Sequence, residues 1–464
     1  MSKLTRLMAC VLAIVMATAL VFTGCTKKDT KEGIGSATST QAPAQASTEK
    51  KPVTVKWYSF DNPKDAKHKE LIAAYQKDNP RVTVSVEYPV ENNSVEYLKK
   101  VDLLLLSGDK VDIIEQQDAI ANSERGRKDQ LQALNEFFTK EGKKYDDIYS
   151  SKSELDGKIF GLPKSQAFYL VVLNMKHLQE AGLKLPAHDW TFEDYKEYAK
   201  KLTKGEGANK RYGSYMHTWA QYHYLPMYNS KLDNTFYKSA QNPVPDFDNP
   251  IFKEFFQYKY NMENVDKNQF PLSEVLATKT DYKNIFLTEK ASMMPIGTFF
   301  ISMAADTAKW PRDWKIGFAP IPRWSKNDPA GRTNTTNSYM AMSKNAANKE
   351  EAFKFMRYFT TKGQQILLDG VSAEKGADNS KLFEALTGPD RDKLFDIESL
   401  KTVFGKLIPN PTTYQPVSGK PIYDLFVAQA EKYLVGGQSL DVTMKNLIEQ
   451  GNEIHKKEVA AAAK

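Results

Sequence analysis

Strand and helix patterns alternate between residues 53 and 114 of this chain. Strands rich in β-branched and apolar residues are predicted at Val53–Tyr58, 81–88 and 111–114, and amphipathic helices at 68–77 and 95–107. A strand–helix–strand order at this spacing predicts right-handed crossovers and a parallel sheet, and so an α/β fold. Ligands of open α/β sheets bind beyond the carboxyl ends of the strands, so the residues that follow each strand are the first candidates for a site.

The segment from residue 53 to residue 458 contains no low-complexity break. Single hydrophobic cores stop growing at about 250–300 residues, so a segment of this length predicts two lobes. The chain has a net charge of +7, which falls to +5 if Lys3 and Arg6 are removed with a leader. Because cations and anions are mixed along every segment, no nucleic-acid partner is expected.

The N-terminal residues have the pattern of a secretory signal peptide. Lys3 and Arg6 precede an apolar stretch at 7–22, and Gly24 stands directly before Cys25. The apolar stretch is shorter than the about 20 residues that a membrane-spanning helix requires. The leader is therefore expected to end at residue 24 and to be removed.

A small residue directly before Cys25 resembles the lipobox of bacterial lipoproteins. The resemblance implies that Cys25 is acylated and anchors the chain at the extracytoplasmic face of the cell membrane. Residues 25–52 are rich in polar residues and lack aromatic ones, which predicts a lipidated flexible tether. Cys10 leaves with the leader, so the mature chain would have no disulfide. In the alternative interpretation, this is an ordinary signal peptide in which Cys25 has no role.

Three places after predicted strands combine polar groups with aromatic residues or a glycine. They are Asp61 and Asn62 after the first strand, Gln116, Gln117 and Asp118 after the third, and Gly297, Thr298 and Phe299 after a strand predicted at 292–296. Each place also has a purely structural interpretation, because Asp and Asn side chains in loops commonly cap helices and phenylalanine pairs commonly pack in cores. None of the three identifies a site by itself.

Five short segments carry a more specific pattern. They are 111–114 (VDII), 157–163 (GKIFGLP), 174–183 (NMKHLQEAGL), 186–195 (PAHDWTFEDY) and 347–356 (ANKEEAFKFM). In this order they resemble the sugar-type extracellular solute-binding proteins of ABC importers, the group that includes maltose-binding protein. Within the fourth segment, Thr191 is predicted to cap a helix by accepting a hydrogen bond from the amide of Asp194.

The resemblance implies a two-lobed α/β fold, typical of periplasmic binding proteins, in which a hinge joins the lobes and the ligand is held in the cleft between them. It assigns 53–165 with 295–338 to a first lobe and 166–294 with 339–458 to a second, with crossings near 164–166, 294–297 and 337–339. Residues 459–464 are expected to be a disordered tail. The chain is expected to be a monomer that captures a carbohydrate, in the form of an oligosaccharide, and delivers it to the permease subunits of an ABC transporter.

Carried onto this chain, the resemblance implies that the residues after the three strands face the cleft. In the second lobe the aromatic-rich segment 212–224 offers Trp219 as the ring that covers a sugar, with His217 and Tyr222 behind it. The alternative interpretation of this segment is a helix whose rings pack inward. Tyr339 ends a tract of hydroxyl and amide residues, 333–339, where family members often have glycine-rich sequence. Carboxylates and amides pair with sugar hydroxyls, and aromatic rings cover the apolar faces of sugar rings.

The remaining function classes have weaker support in the sequence. The chain has no nucleophile elbow, no His-Glu-x-x-His zinc motif and no phosphate-binding P-loop, so no catalytic residue is assigned. Asp61 and Asp118 could serve as the carboxylate pair of a glycoside hydrolase. His217 and His223 lack a third ligand at a recognisable spacing, so no metal and no cofactor are expected. A non-sugar solute, such as a polyamine, a metal chelate or a peptide, remains the main alternative.

Overall fold

The computed structural model describes residues 51–90, 93–151, 153–155, 157–230, 236–239, 242–368, 370–379, 381–410 and 416–463, with only the backbone of Val95. The predicted leader, Cys25 and the tether up to residue 50 lie outside the described residues. None of the helices in the described ranges combines the length and the apolar character that a bilayer crossing requires.

The strands of the described residues are β1 (Val53–Tyr58), β2 (Val82–Glu87), β3 (Ile113–Gln116), β4 (Glu154–Leu155), β5 (Lys158–Ile159), β6 (Gly161–Asn174), β7 (Tyr212–Ser214), β8 (Ala291–Gly297), β9 (Ile316–Ala319), β10 (Arg332–Thr333), β11 (Thr335–Met342) and β12 (Ile408–Pro409).

The α-helices of the described residues are α1 (Asp65–Asp78), α2 (Ser94–Leu106), α3 (Ala119–Arg127), α4 (Asn135–Lys140), α5 (Tyr145–Ile148), α6 (Met175–Glu180), α7 (Phe192–Leu202), α8 (Met227–Ser230), α9 (Pro250–Tyr260), α10 (Leu272–Thr278), α11 (Tyr282–Leu287), α12 (Phe299–Ala304), α13 (Lys349–Thr360), α14 (Gln364–Leu367), α15 (Leu382–Thr387), α16 (Arg391–Leu394), α17 (Ile397–Gly405), α18 (Gly419–Leu434) and α19 (Leu440–Ala462). Short 3-10 turns lie at Asn62–Lys64, Gly207–Asn209 and Ala220–His223, and a π-helical turn at Asn261–Val265 follows α9.

The predicted parallel sheet is confirmed in the N-terminal part of the fold. Strand β1 pairs in parallel with β2 on one side and with β3 on the other, and α1 and α2 lie within a few residues of their predicted bounds. Strand β3 begins at Ile113 rather than Val111 and includes Gln116. Val111 is fully buried although it precedes the strand. Its apolar character therefore reflects its burial in the core and does not indicate that it pairs with a neighbouring strand.

The hydrophobic cores separate into two lobes. In the first lobe, residues 53–165 and 339–373, Trp57 of β1 packs with Leu71 of α1 and Phe355 of α13. In the second lobe, residues 169–333 and 382–462, Leu170 of β6 packs with Phe300 of α12. Further clusters in the second lobe surround α7, α9 and α18.

Strand β6 runs from one lobe into the other. Its first half pairs antiparallel with β11, whereas its second half pairs antiparallel with β8 and β9. The chain crosses a second time between β10 and the start of β11. A third crossing lies at Val371, whose backbone exchanges hydrogen bonds of 3.1 and 2.8 Å with Gln166 of β6.

This packing corrects the expected ranges of the two lobes. Residues 295–333 belong to the second lobe, because β9 pairs with Val171–Asn174 and α12 packs on that lobe's core. Residues 339–373 belong to the first lobe, because β11 pairs with β3 and α13 packs on Trp57. The expected crossing at 294–297 is wrong, because β8 is paired along Met293–Gly297 with the second half of β6. The expected crossing near 164–166 lies in β6, and the expected crossing near 337–339 lies a few residues after the observed one between β10 and the start of β11.

The C-terminal residues differ from expectation as well. The predicted disordered tail at 459–464 is helical as far as Ala462, because α19 continues through the alanine-rich end of the chain. Alanine has the highest intrinsic helix propensity, which explains why the helix continues beyond its last packed turn.

Candidate functional site

The residues predicted after β1 and β3 lie at one edge of the first-lobe sheet. Tyr58 of β1 is paired with Ile114 of β3, so the loops that follow the two strands are neighbours. Tyr339 of β11 stands opposite Gln116 in the antiparallel pair on the other side of β3. The structure therefore brings Asp61, Gln116 and Tyr339 to the same edge, although they are far apart in sequence.

The polar residues at both ends of the loop after β3, Gln116 and Asp118, make hydrogen bonds with their side chains. Gln116 is fully buried, and its side-chain oxygen accepts a hydrogen bond of 2.8 Å from Nη1 of Arg125. Within the described residues its Nε2 has no hydrogen-bond partner. Asp118 caps α3 by accepting from the amide of Ala121 at 2.7 Å, and Gln117 between them is partly exposed. Burial raises the pKa of the Asp118 carboxyl above its usual value.

Asp61 lies in a cluster of charges. Its Oδ2 accepts hydrogen bonds from Nζ of the buried Lys164 and, at 3.2 Å, from Nζ of Lys64. Burial alone would raise the pKa of Asp61, but the two ammonium groups outweigh it and hold the pKa well below the usual range. Asn62, the next residue, is partly exposed at the start of a 3-10 turn. Asp61 is thus an ionised group with two cationic partners.

Aromatic rings predicted from two distant segments meet on the second lobe. The Trp219 ring lies 5.9 Å from the ring of Phe299 and 6.2 Å from that of Tyr222, centroid to centroid. Tyr169 joins them through contacts with Tyr222 at 6.3 Å and Phe299 at 6.4 Å. His217 packs edge-on against Trp219 at 4.6 Å. Trp219 and Phe299 are partly exposed, whereas Tyr222 and Tyr169 are buried.

The Gly297-Thr298 step brings the Phe299 ring into this cluster. Gly297 pairs with Tyr169 on β6, and a Cβ at this glycine would lie 2.2 Å from the Phe299 ring. The amide of the buried Thr298 donates to the carbonyl of Phe168 at 2.9 Å. Gly297 therefore leaves space for the Phe299 ring, and Thr298 makes a backbone hydrogen bond. Of the three residues, Phe299 is the one whose side chain remains partly exposed.

The Asp118 carboxylate influences the pKa values of tyrosines on both lobes. Burial is the main cause that raises the pKa of Tyr224 and of Tyr423, and the negative charge of Asp118 adds to it in both. The same carboxylate raises the pKa of Tyr339, again after burial. Asp118 of the first lobe is thus close enough to act electrostatically on two tyrosines of the second lobe.

Several residues of this region were not predicted from the sequence. They are Tyr169 and Asn334 beside the crossings, Gln221, whose amide donates to the Tyr169 hydroxyl at 2.9 Å, and the tyrosines Tyr224, Tyr228 and Tyr423. In the sequence Tyr169 begins a run, 169–173, that is otherwise aliphatic, and Tyr423 lies in a helix without any distinctive motif. Tyr224 and Gln221 fall in the aromatic-rich segment that pointed to Trp219, so that signal was available for them.

The histidines of this region are held neutral by burial. Burial lowers the pKa of His217 to about 4, and that of His223 well below its ordinary value. Across the described ranges, no group of three or more His, Cys, Asp or Glu side chains is placed to hold a metal ion. What the described residues of the site offer chemically is a set of rings, amides and hydroxyls and the carboxylates of Asp61 and Asp118.

A family model decides what class of protein has this arrangement. The model of the bacterial extracellular solute-binding proteins matches residues 61–366, about two thirds of the chain. The chain belongs to the bacterial extracellular solute-binding proteins. A binding protein of Brucella abortus (strain 2308) is 24% identical to this solute-binding protein over 305 residues, which cover 63% of this chain and 68% of the relative.

Solved structures with the same fold cover most of the solute-binding protein. A sugar transporter protein of Rhizobium etli in an open conformation has a TM-score of 0.67 at 22% identity, covering 86% of this chain and 99% of that one. An ABC substrate-binding protein of Listeria monocytogenes in complex with cycloalternan has a TM-score of 0.70 at 18% identity, with 86% and 98% covered. A protein of Mycobacterium tuberculosis in complex with glycerophosphocholine has a TM-score of 0.70 at 17% identity, with 88% and 99% covered.

Proposed function

We propose that this solute-binding protein captures a carbohydrate between its lobes and delivers it to the permease of an ABC importer. The observation that carries the proposal is the partly exposed pair of rings, Trp219 and Phe299, on the lobe opposite the amides and carboxylate at Gln116–Asp118. Rings cover the apolar faces of sugars, while amides and carboxylates bind adjacent hydroxyls. Cycloalternan, the ligand of the Listeria protein of the same fold, is compatible with this proposal.

We propose the same ligand role for the other predicted residues at this edge. Asn62 and Gln117 are partly exposed, and the buried Gln116 offers an amide nitrogen that has no partner among the described residues. A ligand hydroxyl would supply that partner, since buried amide groups are usually hydrogen-bonded. Tyr222, Tyr339 and Thr298 are buried, so their part in binding would be to support the exposed rings and amides.

A zwitterionic, non-sugar solute is the second candidate. The Mycobacterium tuberculosis protein of the same fold was solved with glycerophosphocholine. The tyrosines near Asp118 are a chemically suitable surround for a quaternary ammonium group, which binds aromatic faces and a nearby carboxylate. A neutral sugar and a zwitterionic choline phosphodiester require different binding groups, so one screen of ligands distinguishes them.

A thermal-shift screen of the purified protein tests the proposal. Its arms are neutral mono- and oligosaccharides, glycerophosphocholine, polyamines and peptides. A ligand that binds only the folded state stabilises it by about 2.7 kcal/mol at 100 times its dissociation constant, which raises the unfolding midpoint by a measurable amount. A shift with an oligosaccharide and none with the other classes is the expected result. A shift with glycerophosphocholine alone would contradict the proposal that the ligand is a carbohydrate.

The chain is proposed to be a binding protein without catalytic activity. Asp61, one half of the carboxylate pair predicted for glycoside hydrolysis, has Lys164 and Lys64 as partners. These cations lower the basicity of the Asp61 carboxylate, which makes it a weaker general base or nucleophile. Chromatography of an oligosaccharide incubated with the protein would show unchanged ligand, and any cleavage product would overturn this view.

The lipid anchor at Cys25 is part of the same proposal. A monomer tethered outside the cell can pass ligand to a permease in the membrane, and two or more acyl chains are required for stable anchoring. We expect a Cys25→Ala variant to leave the membrane fraction. If the variant still sediments with the membranes as the parent does, Cys25 is not the anchor.

A further inference from the structure

Lys164 is a buried cation at the start of the strand that crosses between the lobes. Its side chain is 1% exposed, and its Nζ donates to Oδ2 of Asp61 and, at 3.0 Å, to Oε1 of the fully buried Glu115. Burying a lysine and two carboxylates costs several kcal/mol each unless they are closely paired. Burial of these three ionisable groups is costly, so we looked to the function of the site for a reason that they lie in the core.

The three side chains connect β6 with β3 and with the loop after β1. Glu115 lies in β3, Asp61 three residues after the end of β1, and Lys164 in β6. Each carboxylate is next in sequence to a proposed ligand residue, since Asn62 follows Asp61 and Gln116 follows Glu115. One ammonium group therefore ties together both loops that carry the first lobe's share of the site.

Aromatic rings shield this cluster from water. The Lys164 ammonium lies 5.7 Å from the centre of the Phe60 ring and 5.8 Å from that of Phe359. Phe359 belongs to the first-lobe core, and Phe60 packs on Tyr97 at 5.4 Å. In a region of low dielectric constant the attraction between charges is stronger than at the surface, so the geometry of the pairs is closely defined.

We propose that Lys164 is the positioning residue that aligns the loop after β1 and the loop after β3 for ligand binding. The proposal rests on the proposed function, since it concerns the same site. Lys164 acts through Asp61 and Glu115 and does not itself contact the ligand. Preorganised binding groups depend on such supporting interactions, because a loosened loop must be ordered again when the ligand binds.

The chain contains a matched control for this lysine. Lys259 of α9 is also fully buried, and its Nζ lies 2.7 Å from Oε1 of Glu263. It belongs to the second lobe, where Glu263 also accepts from Gln269 and from the amide of Leu272. Lys164→Met and Lys259→Met each remove one buried ammonium, so a general loss of stability affects both, while only the first should change the two loops.

Hydrogen exchange followed by mass spectrometry tests the positioning without any ligand. In Lys164→Met, peptides covering residues 59–64 and 115–122 should exchange about tenfold faster than in the parent. Lys259→Met should leave those peptides unchanged and accelerate exchange around its own helix. Lys164→Arg keeps a positive charge that can pair with the carboxylates, so it should retain more of the protection than Lys164→Met does. Equal exchange of both loops in Lys164→Met and the parent would overturn the proposal.

Calorimetric titration tests the consequence for binding. With an oligosaccharide that stabilises the parent, Lys164→Met should bind about tenfold more weakly at a temperature where circular dichroism shows it fully folded. Lys259→Met should bind within about twofold of the parent. Affinity equal to the parent's in Lys164→Met would contradict the proposal.

If Lys164→Met does not fold, the neutral combination Asp61→Asn, Glu115→Gln and Lys164→Met leaves no unpaired charge and takes its place in both measurements. A parent that binds no saccharide would refute the proposed function, whereas the exchange result would still decide the role of Lys164.

Discussion

Trp219 combines two properties that a ligand-contacting ring needs. It is partly exposed, and it is held by neighbours on several sides, with His217 at 4.6 Å and Tyr282 at 5.4 Å between ring centres. A ring fixed in this way loses little conformational entropy when it covers a ligand, while its exposed face can still be buried. Burial of that face on binding would contribute to affinity without being needed for folding.

The expected effect of Trp219→Ala is therefore on binding more than on stability. Loss of the ring face removes roughly 2 kcal/mol of stacking at about 25 cal/mol/Å², which is more than a tenfold loss of affinity. Trp190→Ala is the matched control, because Trp190 is 3% exposed and its Nε1 donates to the carbonyl of Pro320 at 2.9 Å. That variant should lose about 3–5 kcal/mol of stability. Denaturation and titration of both variants decide the matter, and a Trp219→Ala protein that unfolds as early as Trp190→Ala would place Trp219 in the core.

His217 predicts how stability depends on pH. Burial lowers its folded pKa to about 4, whereas the exposed imidazole of the unfolded chain has the ordinary value of 6.5. The folded state is therefore favoured above pH 6.5, and this contribution is lost as the pH falls towards 4. Between pH 7 and pH 4.5 the group should reduce the free energy of unfolding by roughly 2–3 kcal/mol.

Urea unfolding of the parent and of His217→Gln at both pH values measures this contribution. The variant should lose less stability on acidification, although it keeps the part that comes from His223, whose pKa is also lowered by burial. Identical losses in the parent and the variant would show that His217 is protonated equally in the folded and unfolded chains.

At the scale of elements, strand β6 changes partners at Tyr169. The hydroxyl of Thr333 accepts from the amide of Tyr169 at 3.1 Å and donates to its carbonyl at 2.6 Å. The carbonyl of Asn334 also accepts from that amide, at 3.3 Å. A side chain thus replaces the strand neighbour that β6 lacks between the end of its pairing with β11 at Phe168 and the start of its pairing with β9 at Val171. Backbone groups at this buried step are satisfied without a continuous sheet, as buried backbone polar groups require.

Thr333→Val keeps the shape of this side chain and removes its hydroxyl. We expect the variant to lose about 1–3 kcal/mol of stability, because the Tyr169 carbonyl loses a buried hydrogen bond. Thr335→Val, two residues along at a partly exposed position, should change stability by less than about 0.5 kcal/mol. Urea unfolding compares the two, and equal effects would mean that the Thr333 hydroxyl does not replace the missing strand.

At the scale of the molecule, three backbone crossings among the described residues join two lobes with separate cores. They are short segments around Gln166, Asn334 and Val371, so a change in the relative orientation of the lobes requires few backbone rotations. A ligand held from both sides favours the closed arrangement to the extent that it binds that arrangement more tightly.

Small-angle X-ray scattering of the purified protein tests closure. The radius of gyration should decrease when a saccharide identified in the screen is added at saturation, and it should stay constant with a saccharide that gives no thermal shift. A constant radius with the bound ligand would mean that the lobes do not move together on binding.

The locally determined features could be predicted from the sequence alone. Strands β1, β2 and β8 and helices α1 and α2 lie close to their predicted bounds, and Thr191 and Asp194 form the predicted reciprocal cap, with distances of 3.2 and 2.8 Å. Side-chain period, breakers and caps act within a few residues of the chain, so the sequence of each segment is sufficient. The family and the edge of the sheet that carries Asp61 and Gln116 followed from the same local patterns.

Only the tertiary structure decided which segments belong together. The sequence of β9 does not state that its partner is the second half of β6, and nothing near Asp61 indicates Lys164, 103 residues away. Tyr423 likewise reaches the neighbourhood of Asp118 from a distant helix. Strand partners, counter-ions and the rings opposite a carboxylate are fixed by long-range packing. That packing is a property of the whole chain, and a local pattern contains no information about it.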